Sequence, residues 1–344
     1  MISNSYIPAS QLLERNEAYF ADKDLLIAGS IEDTYPCQLA KIANKVTLFS
    51  YNYAVKRHYD TVDNIENYCD TEYTAVKKHQ VALVYISKSK AEVAFLLANI
   101  AEQLEDNAEI FLIGENNGGI RSANKFLAPY GDICNKLDGA RRCSLYITQL
   151  NKPVTKFVLN DWITQFPLCI NGTDLTICSL PGVFNHGKLD IGTDLLLRNL
   201  HKKPSGRVLD LGCGAGIIGS YIAKRYPESN VEMSDVSALA VTSSQLTLAA
   251  NELAGKAYLS DVYSDVNGTF DYIISNPPFH VGLKTHYAST ETFLANANNY
   301  LERRGHLTIV ANSFLQYTPI LETAFGNFQL QIKSNKFSVY YCNK

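Results

Sequence analysis

The chain has 344 residues, 46% of them hydrophobic and 19% charged, a composition typical of a globular protein and not of a disordered one. At roughly 150 residues per domain, this length predicts about two domains. With 31 basic and 34 acidic residues, the formal net charge is −3, which excludes a protein that holds nucleic acid by its overall charge. Any contact with RNA must therefore use local patches or a preformed partner surface.

The sequence shows no sign of export, of membrane insertion or of a metal site. No window approaches the roughly 18 uninterrupted apolar residues of a membrane helix. The first residues lack the basic flank and apolar run of a signal peptide. The eight cysteines form no Cys-x-x-Cys pair and accompany no histidine run. We therefore expect a cytoplasmic protein with reduced thiols, no metal and no membrane partner.

In the first half of the chain, short apolar runs alternate with helical patterns. Strands are predicted at 24–28, 46–50, 81–86, 109–113 and 143–148. Helices are predicted at about 36–44, 89–104 and 118–128.

The second half has the same rhythm. Strands are predicted at 207–211, 230–234, 256–260, 270–275 and 305–311. Helices are predicted at 217–226, 237–250 and about 289–302, the second with Ala238, Val241, Leu246 and Ala249 on one broad apolar face. The tail has two alternating runs about a Ser334-Asn335 turn, which predicts an antiparallel end to the sheet.

Alternating strands and helices predict a doubly wound α/β sheet in each half, as in a diverged duplication. The predicted domains are residues 1–150 and 186–344. Residues 151–185, which include Lys152-Pro153 and Pro181-Gly182, are predicted to be a linker, since a Pro-Gly pair favours a loop.

A glycine-rich loop follows the first strand of the second half. Gly212, Gly214 and Gly216 stand at alternate positions, and the absence of Cβ atoms lets the backbone turn sharply against a bound ligand. Asp210 precedes them. Asp235 ends the next strand, where a carboxylate can bind two ribose hydroxyls.

The same loop fits two other interpretations. Residues 214–219 formally match the dinucleotide pattern Gly-x-Gly-x-x-Gly, and a glycine-rich turn can also exist without a ligand. The glycine directly after the strand is Gly212, however, and the full pattern is Asp-x-Gly-x-Gly-x-Gly. That form resembles the S-adenosylmethionine (AdoMet) loop of class I methyltransferases.

A second motif follows the predicted strand 270–275. Asn276, Pro277, Pro278 and Phe279 stand at its carboxyl end, the edge at which open α/β sheets bind ligands. Prolines have no backbone N–H, so nearby carbonyls stay available as acceptors, and the Asn276 amide oxygen adds another. Two acceptors would orient one NH2 group while Phe279 stacks on a flat ring. An ordinary proline-rich turn is the alternative.

Such a site suits methylation of a planar, weakly nucleophilic nitrogen: an adenine or guanine amine, or a glutamine amide. The nitrogen would attack the sulfonium methyl in line, with alignment supplying most of the acceleration. No dedicated general base is needed, because the proton can leave after transfer. His280 adjoins the turn and either contacts the substrate or supports the turn by hydrogen bonding.

Together with these motifs, three further runs resemble the bacterial small-subunit ribosomal RNA guanine-N2 methyltransferases over nearly the whole chain. They are residues 181–197, 112–116 and 140–143, which include Pro-Gly-Val-Phe, Leu-Asp-Ile-Gly and Ala-Arg-Arg-Cys. The resemblance implies two tandem class I methyltransferase-like (Rossmann-like) domains, and the antiparallel end is expected in the second.

By this resemblance the second domain binds AdoMet and methylates N2 of one guanine in 16S rRNA within the assembled small subunit. Asp210 and the glycines would line the methionine part, Asp235 the ribose, and Asp261-Val262 the adenine edge. Asn276 to Phe279 would be catalytic, and Phe279 and His280 would contact the base. We expect a monomer that does not act on DNA.

The resemblance also implies that the first domain is a degenerate copy without AdoMet, used for RNA docking. Ala28-Gly29-Ser30 follows its first strand in place of the triple-glycine loop, and Ser87-Lys88-Ser89-Lys90 stands in place of Asn-Pro-Pro-Phe. The following side chains could contact phosphates or be solvated charges: Lys88, Lys90, Arg121, Lys125, Arg141 and Arg142.

In the second domain, the segment 184–193 would close over cofactor and substrate. Asp190 and Thr193 belong either to that closure or only to the cap of the following helix. No role is assigned to His186 or Lys188.

Other function classes remain open at this point. Glutamine methyltransferases of release factors share Asn-Pro-Pro-aromatic, but they usually carry Tyr in that motif and a small helical leading domain. An adenine-N6 enzyme presents the same two amine hydrogens to orient. A ribosome assembly factor that only holds AdoMet is a non-enzyme alternative. A nicotinamide dehydrogenase fits least, since nothing here looks like a hydride-transfer site.

Overall fold

The computed structural model describes residues 2–277, 284–315 and 317–344. The chain divides into two compact units, residues 1–162 and 163–344. Each contains a seven-stranded sheet within the described residues. This confirms the predicted pair of doubly wound α/β sheets. No helix of the described residues is long and apolar enough to cross a membrane.

The first unit is built on a central parallel sheet. Its strands are β1 (Asp24–Gly29), β2 (Lys45–Phe49), β3 (Ile65–Tyr68), β4 (His79–Tyr85), β5 (Leu104–Glu115), β6 (Asn135–Ala140) and β7 (Cys143–Gln149). Its α-helices are α1 (Pro8–Leu13), α2 (Tyr35–Leu39), α3 (Tyr53–Tyr59), α4 (Lys90–Ala101) and α5 (Ala123–Leu127). The strand order is β3-β2-β1-β4-β5-β7-β6, and β7 runs antiparallel to both β5 and β6.

The second unit begins with a hairpin and repeats this plan. Its strands are β8 (Thr164–Ile170), β9 (Thr173–Ser179), β10 (Gly206–Leu211), β11 (Ser229–Asp235), β12 (Lys256–Leu259), β13 (Phe270–Ser275), β14 (Leu301–Asn312), β15 (Gln329–Lys333) and β16 (Phe337–Asn343). Its α-helices are α6 (Ile191–Arg198), α7 (Ile217–Arg225), α8 (Ala238–Ala250), α9 (Lys284–Asn296) and α10 (Thr318–Phe325). The strand order β12-β11-β10-β13-β14-β16-β15 matches that of the first unit.

This order reverses direction between β10 and β13, which pair in parallel with Asp210 opposite Ile274. Ligands of doubly wound sheets bind in the crevice at such a reversal, at the carboxyl ends of the strands. The Ser275 hydroxyl donates to the Leu211 carbonyl at 2.6 Å and ties the two strand ends together. The glycine loop and Asn276 therefore leave the sheet side by side.

The boundaries differ from prediction in three places. The antiparallel end, expected only in the second sheet, is present in both. The predicted linker 151–185 contains the hairpin β8–β9, joined by an Asn171-Gly172 turn, and the units divide after Trp162. The predicted helix 289–302 begins earlier, at Lys284, and β14 already starts at Leu301.

Helix α8 buries Ala238 and Val241 of the predicted apolar face, but its second half buries polar side chains instead. Leu246 is half-buried and Ala249 is exposed, whereas the Ser243, Ser244 and Thr247 side chains are buried. The cause is the β8–β9 hairpin. The backbone N–H groups of Cys178, in β9, and of Leu180, just after it, donate to the hydroxyls of Thr247 and Ser243.

Thr247 makes the central contacts of this interface. Its hydroxyl oxygen accepts from the Cys178 N–H at 3.0 Å, and the hydroxyl lies 2.9 Å from the Ala215 carbonyl of the glycine loop. One side chain of α8 thus bridges the hairpin and the loop.

We expect Thr247→Val to lower the free energy of unfolding by about 1–3 kcal/mol, because the isosteric change leaves the buried Cys178 N–H without an acceptor. Thr323→Val is the control, since that hydroxyl is exposed and bonds only within α10. It should cost less than about 0.5 kcal/mol in the same denaturant titration. Equal effects of the two substitutions would contradict the prediction.

Candidate active site

The glycine loop leaves an open cradle after β10. Gly212, Gly214 and Gly216 all have positive φ, at 75°, 56° and 74°. A Cβ built at Gly212 or Gly214 would meet nothing within 4 Å, so that side of the loop is free space. At Gly216 a Cβ would lie 2.9 Å from the Ser244 Cα, so this glycine is required for packing against α8.

Asp210 lies fully buried beneath this loop. Its Oδ2 accepts from the Gly219 N–H at 2.8 Å, and its Oδ1 is buried without a hydrogen-bond partner among the described residues. Burial raises the pKa of Asp210 to about 7, with the nearby Asp235 carboxylate adding to the rise and the Gly219 bond opposing it. A buried lone pair of this kind favours a cationic or N–H-bearing ligand.

Asp235 holds the other side of the cradle at the end of β11. Its two oxygens accept from the N–H groups of Gly214 at 3.0 Å and Ser237 at 2.9 Å. Burial raises the pKa of this carboxyl, and the backbone hydrogen bonds counteract the rise. Two carboxylates therefore stand at one strand edge, where they disfavour each other's ionisation and attract positive charge.

Asp261 and Val262 follow β12 at the same edge. The Ser260 N–H donates to the Asp235 carbonyl at 2.9 Å, which brings the pair next to the carboxylate predicted for the ribose. Val262 has a φ of 55°, a left-handed conformation that is rare for a β-branched residue, and Ser260 holds its carbonyl at 2.9 Å.

Asn276 is held by two residues from the start of α6. Its Nδ2 donates to the Asp190 carboxylate at 3.0 Å and to the Thr193 hydroxyl at 2.8 Å. The same Asp190 oxygen caps α6 by accepting from the Thr193 N–H at 2.9 Å. Asp190 and Thr193 therefore do more than cap the helix.

These contacts fix which way the Asn276 amide points. A carboxylate can only accept hydrogen bonds, so the atom that faces Asp190 must be the NH2 group. The Asn276 Oδ1 then points the other way, buried and without a partner among the described residues. The result is one unsatisfied acceptor beside the glycine loop, which is what orienting an amine requires.

Of the predicted turn residues, Pro277 is buried. Pro278, Phe279 and His280 lie outside the described residues, as do the contacts predicted for them. The other predicted site residues stand at the carboxyl ends of β10, β11, β12 and β13: Asp210, the three glycines, Asp235, Asp261, Val262 and Asn276. Within the described residues, no group of three metal-ligating side chains comes together.

His186 received no role from the sequence, and its contacts are with the hairpin of the second unit. Its two ring nitrogens lie 2.9 Å from the Ser179 hydroxyl and 3.1 Å from the Thr164 hydroxyl. Burial lowers the pKa of this imidazole. His186 thus anchors the segment that leads to Asp190.

At the equivalent edge of the first unit the loop chemistry differs. A Cβ at Gly29 would lie 2.2 Å from the Tyr85 carbonyl, so that glycine serves close packing and not an open cradle. Ser50 follows β2 where Asp235 ends β11, and its hydroxyl donates to the Gly29 carbonyl at 3.1 Å. Ser89, in the run that replaces Asn-Pro-Pro-Phe, caps α4.

Comparisons with known proteins agree with this architecture. Residues 174–341 match the family described as methyltransferase small domain, and residues 10–166 match its N-terminal domain family. A ribosomal RNA small subunit methyltransferase C of Aeromonas hydrophila is 48% identical, over 98% of this chain and 99% of its own. That of Vibrio vulnificus is 44% identical over 99% and 100%. The chain belongs to the ribosomal RNA small subunit methyltransferase C family.

A solved structure of the T. thermophilus 16S rRNA N2 guanine methyltransferase, in complex with AdoMet and guanosine, has the same fold. The TM-score is 0.83 at 24% identity, covering 99% of this chain and 93% of that one. Members of this methyltransferase family use AdoMet. The open cradle at Gly212 and Gly214 and the orphaned oxygen of Asp210 fit that cofactor, which carries a sulfonium and an ammonium group.

We expect the Asp210 carboxyl to make the free protein less stable as the pH rises. Its folded pKa of about 7 exceeds the unfolded value of about 3.9, so the penalty for ionising it in the interior is absent below pH 4 and complete above pH 7. Asp210→Asn should therefore raise the free energy of unfolding at pH 8 by a few kcal/mol, with about 4 kcal/mol as the ceiling.

The measurement is denaturant unfolding of both proteins between pH 4.5 and pH 8. The stability difference should shrink as the pH falls. Adding AdoMet should stabilise the wild type more than the variant. A difference in the free energy of unfolding that does not change with pH would contradict the assignment of an elevated pKa to Asp210.

Proposed function

We propose that this chain methylates the exocyclic N2 of a specific guanine in 16S rRNA, within the assembled small ribosomal subunit and in the cytoplasm. The observation that carries the proposal is the buried, unpartnered Asn276 Oδ1 beside the open glycine cradle. The relatives named as ribosomal RNA small subunit methyltransferases support the substrate class. The guanosine in the T. thermophilus complex supports the base.

The residues of this chain would act mainly by positioning. Bound AdoMet supplies a methyl group on a positively charged sulfur. The Asn276 Oδ1 accepts one amine hydrogen, and the Pro277 carbonyl accepts the second. These acceptors align the nitrogen lone pair and favour the positive charge that develops on it. The proton leaves after transfer, so none of the described side chains needs to act as a base.

The remaining predicted contacts belong to the same proposal. Asp210 and the three glycines hold the methionine part of AdoMet, Asp235 the ribose, and Asp261 and Val262 the adenine edge. Pro278 shapes the turn, Phe279 stacks on the guanine and His280 contacts it.

We also propose that the first unit docks RNA and does not bind AdoMet. Its strand edge carries Ser50 in place of the ribose-binding acid and a glycine that is closed off by the Tyr85 carbonyl. The protein would act as a monomer on RNA presented by the small subunit.

Asn276→Ala should bind AdoMet with an affinity close to that of the wild type yet lose kcat by at least about 100-fold, because the acceptor for the amine is removed while the glycine loop and Asp235 are unchanged. AdoMet binding by calorimetry and single-turnover methyl transfer measure the two separately. An unimpaired transfer rate would remove Asn276 from the mechanism.

The exchange of Asp190 and Asn276 tests the orientation of the amide. Asn276→Asp alone places two carboxylates within hydrogen-bond distance, which removes the donor and raises one of their pKa values. Adding Asp190→Asn restores one donor facing one acceptor and leaves an oxygen free for the amine, although it removes the acceptor that caps the Thr193 N–H. The double variant should transfer methyl at least about tenfold faster than Asn276→Asp. A double variant no faster than that single variant would exclude this arrangement.

The substrate is tested with labelled AdoMet and small subunits, naked 16S rRNA and release factor from cells that lack this protein. We expect N2-methylguanosine in RNA of the small subunit and in neither of the other two. Label on adenine or on release-factor glutamine would replace the proposal with one of the alternative methyltransferases. AdoMet binding without transfer to any of the three would favour an assembly factor.

A further inference from the structure

The hairpin between β6 and β7 in the first unit turns on two arginines. Ala140 pairs with Cys143, so Arg141 and Arg142 are the whole loop. Both have positive φ, at 51° and 63°. Two positive φ values in a two-residue loop are the pattern of a type I′ turn, which strongly prefers Asn-Gly. Arginine carries a Cβ that disfavours this conformation at both positions.

Another two-residue hairpin, between β8 and β9, has the residues that this turn prefers. Ile170 pairs with Thr173 across Asn171 and Gly172, whose φ values are 50° and 73°. The same backbone pattern is thus made once from preferred residues and once from two disfavoured ones.

Contacts within the described residues give no reason for arginine at the first turn. Both side chains are exposed, and neither guanidinium has a hydrogen-bond or ion-pair partner in the described part of the chain. Only the backbone is fixed, since the Asn116 N–H donates to the Arg142 carbonyl at 2.8 Å. The strained turn therefore presents two unneutralised cations on a rigid tip.

The tip lies at the carboxyl edge of the sheet, because Cys143 pairs with Glu115 at the end of β5. Other exposed cations follow neighbouring strands at this edge: Lys90 after β4 and Arg121 after β5. Acids are present too. Glu115 is exposed. Burial raises the pKa of Glu32, and the nearby Lys88 partly counteracts that rise. No acid is bound to the arginine pair among the described residues, and of these exposed cations only the two arginines stand on a turn with positive φ at both positions.

We propose that the Arg141-Arg142 turn is an RNA contact that grips the phosphodiester backbone of the substrate. The inference rests on the proposed rRNA substrate and deepens it by naming a contact in the first unit. Guanidinium groups bind phosphate oxygens bidentately, and a rigid hairpin tip positions them at little entropic cost on binding. Such contacts set affinity and orientation without reading the base sequence.

The test replaces the turn by its preferred sequence, Arg141→Asn with Arg142→Gly. Relief of the backbone strain should raise the melting temperature by about 2–4 °C. Loss of two phosphate contacts should weaken binding to unmethylated small subunits by about tenfold and reduce the slope of log K against log salt by about 1–2. The kcat at saturating small subunits should stay unchanged, because the site in the second unit is untouched.

Three further variants make the result specific. Arg141→Lys with Arg142→Lys keeps both charges and should retain most of the salt slope. Arg141→Gln with Arg142→Gln removes the charges without glycine, and should weaken binding even if the first variant folds poorly. Lys224→Gln with Arg225→Gln removes two exposed charges from the end of α7 and should leave binding unchanged.

Affinity and salt slope equal to the wild type in both neutral turn variants would overturn the proposal while leaving the methylation function intact. An equal loss from the α7 control would also overturn it, since net charge alone would then explain the effect. If the wild type neither binds nor methylates small subunits, the proposed function fails instead.

Discussion

The carboxylate of Asp190 joins the start of helix α6 to the amide that faces the crevice. One of its oxygens accepts from both the Thr193 N–H and the Asn276 side chain. The intervening Gly192 allows this approach, because a Cβ there would lie 2.9 Å from that oxygen and 3.2 Å from the Phe337 ring. Since a carboxylate cannot donate, the helix cap and the amide orientation are set by a single group.

The charged side chains at the carboxyl edges of the two sheets differ, although the chain as a whole is close to neutral. Buried carboxylates of Asp210 and Asp235 line the cradle of the second unit, and each has a raised pKa that a cationic ligand would relieve. At the corresponding edge of the first unit, exposed arginines and lysines follow the strands. The net charge of −3 conceals this difference, because it sums over all charged residues and not over the loops at the strand edges.

The two sheets have the same strand order, and what differs between them is the chemistry of the loops at their carboxyl edges. Gly214 leaves open space above its loop, whereas a Cβ at Gly29 would collide with the Tyr85 carbonyl. Asn276 presents an unpartnered acceptor, whereas the Ser89 hydroxyl already accepts a hydrogen bond as the cap of helix α4. A duplicated scaffold can therefore carry catalysis in one copy and binding in the other.

The sequence by itself determined the sheet architecture and the open glycine loop after β10, because these depend on local patterns: buried apolar runs and glycines that permit positive φ. Only the tertiary structure decided the polar face of α8, because the Thr247 hydroxyl accepts a hydrogen bond from a strand about 70 residues earlier in the chain. It also decided the orientation of the Asn276 amide, which depends on Asp190, 86 residues away. The left-handed backbone of the Arg141-Arg142 turn could not be predicted from the sequence either, since the strand register imposes it and arginine does not prefer it.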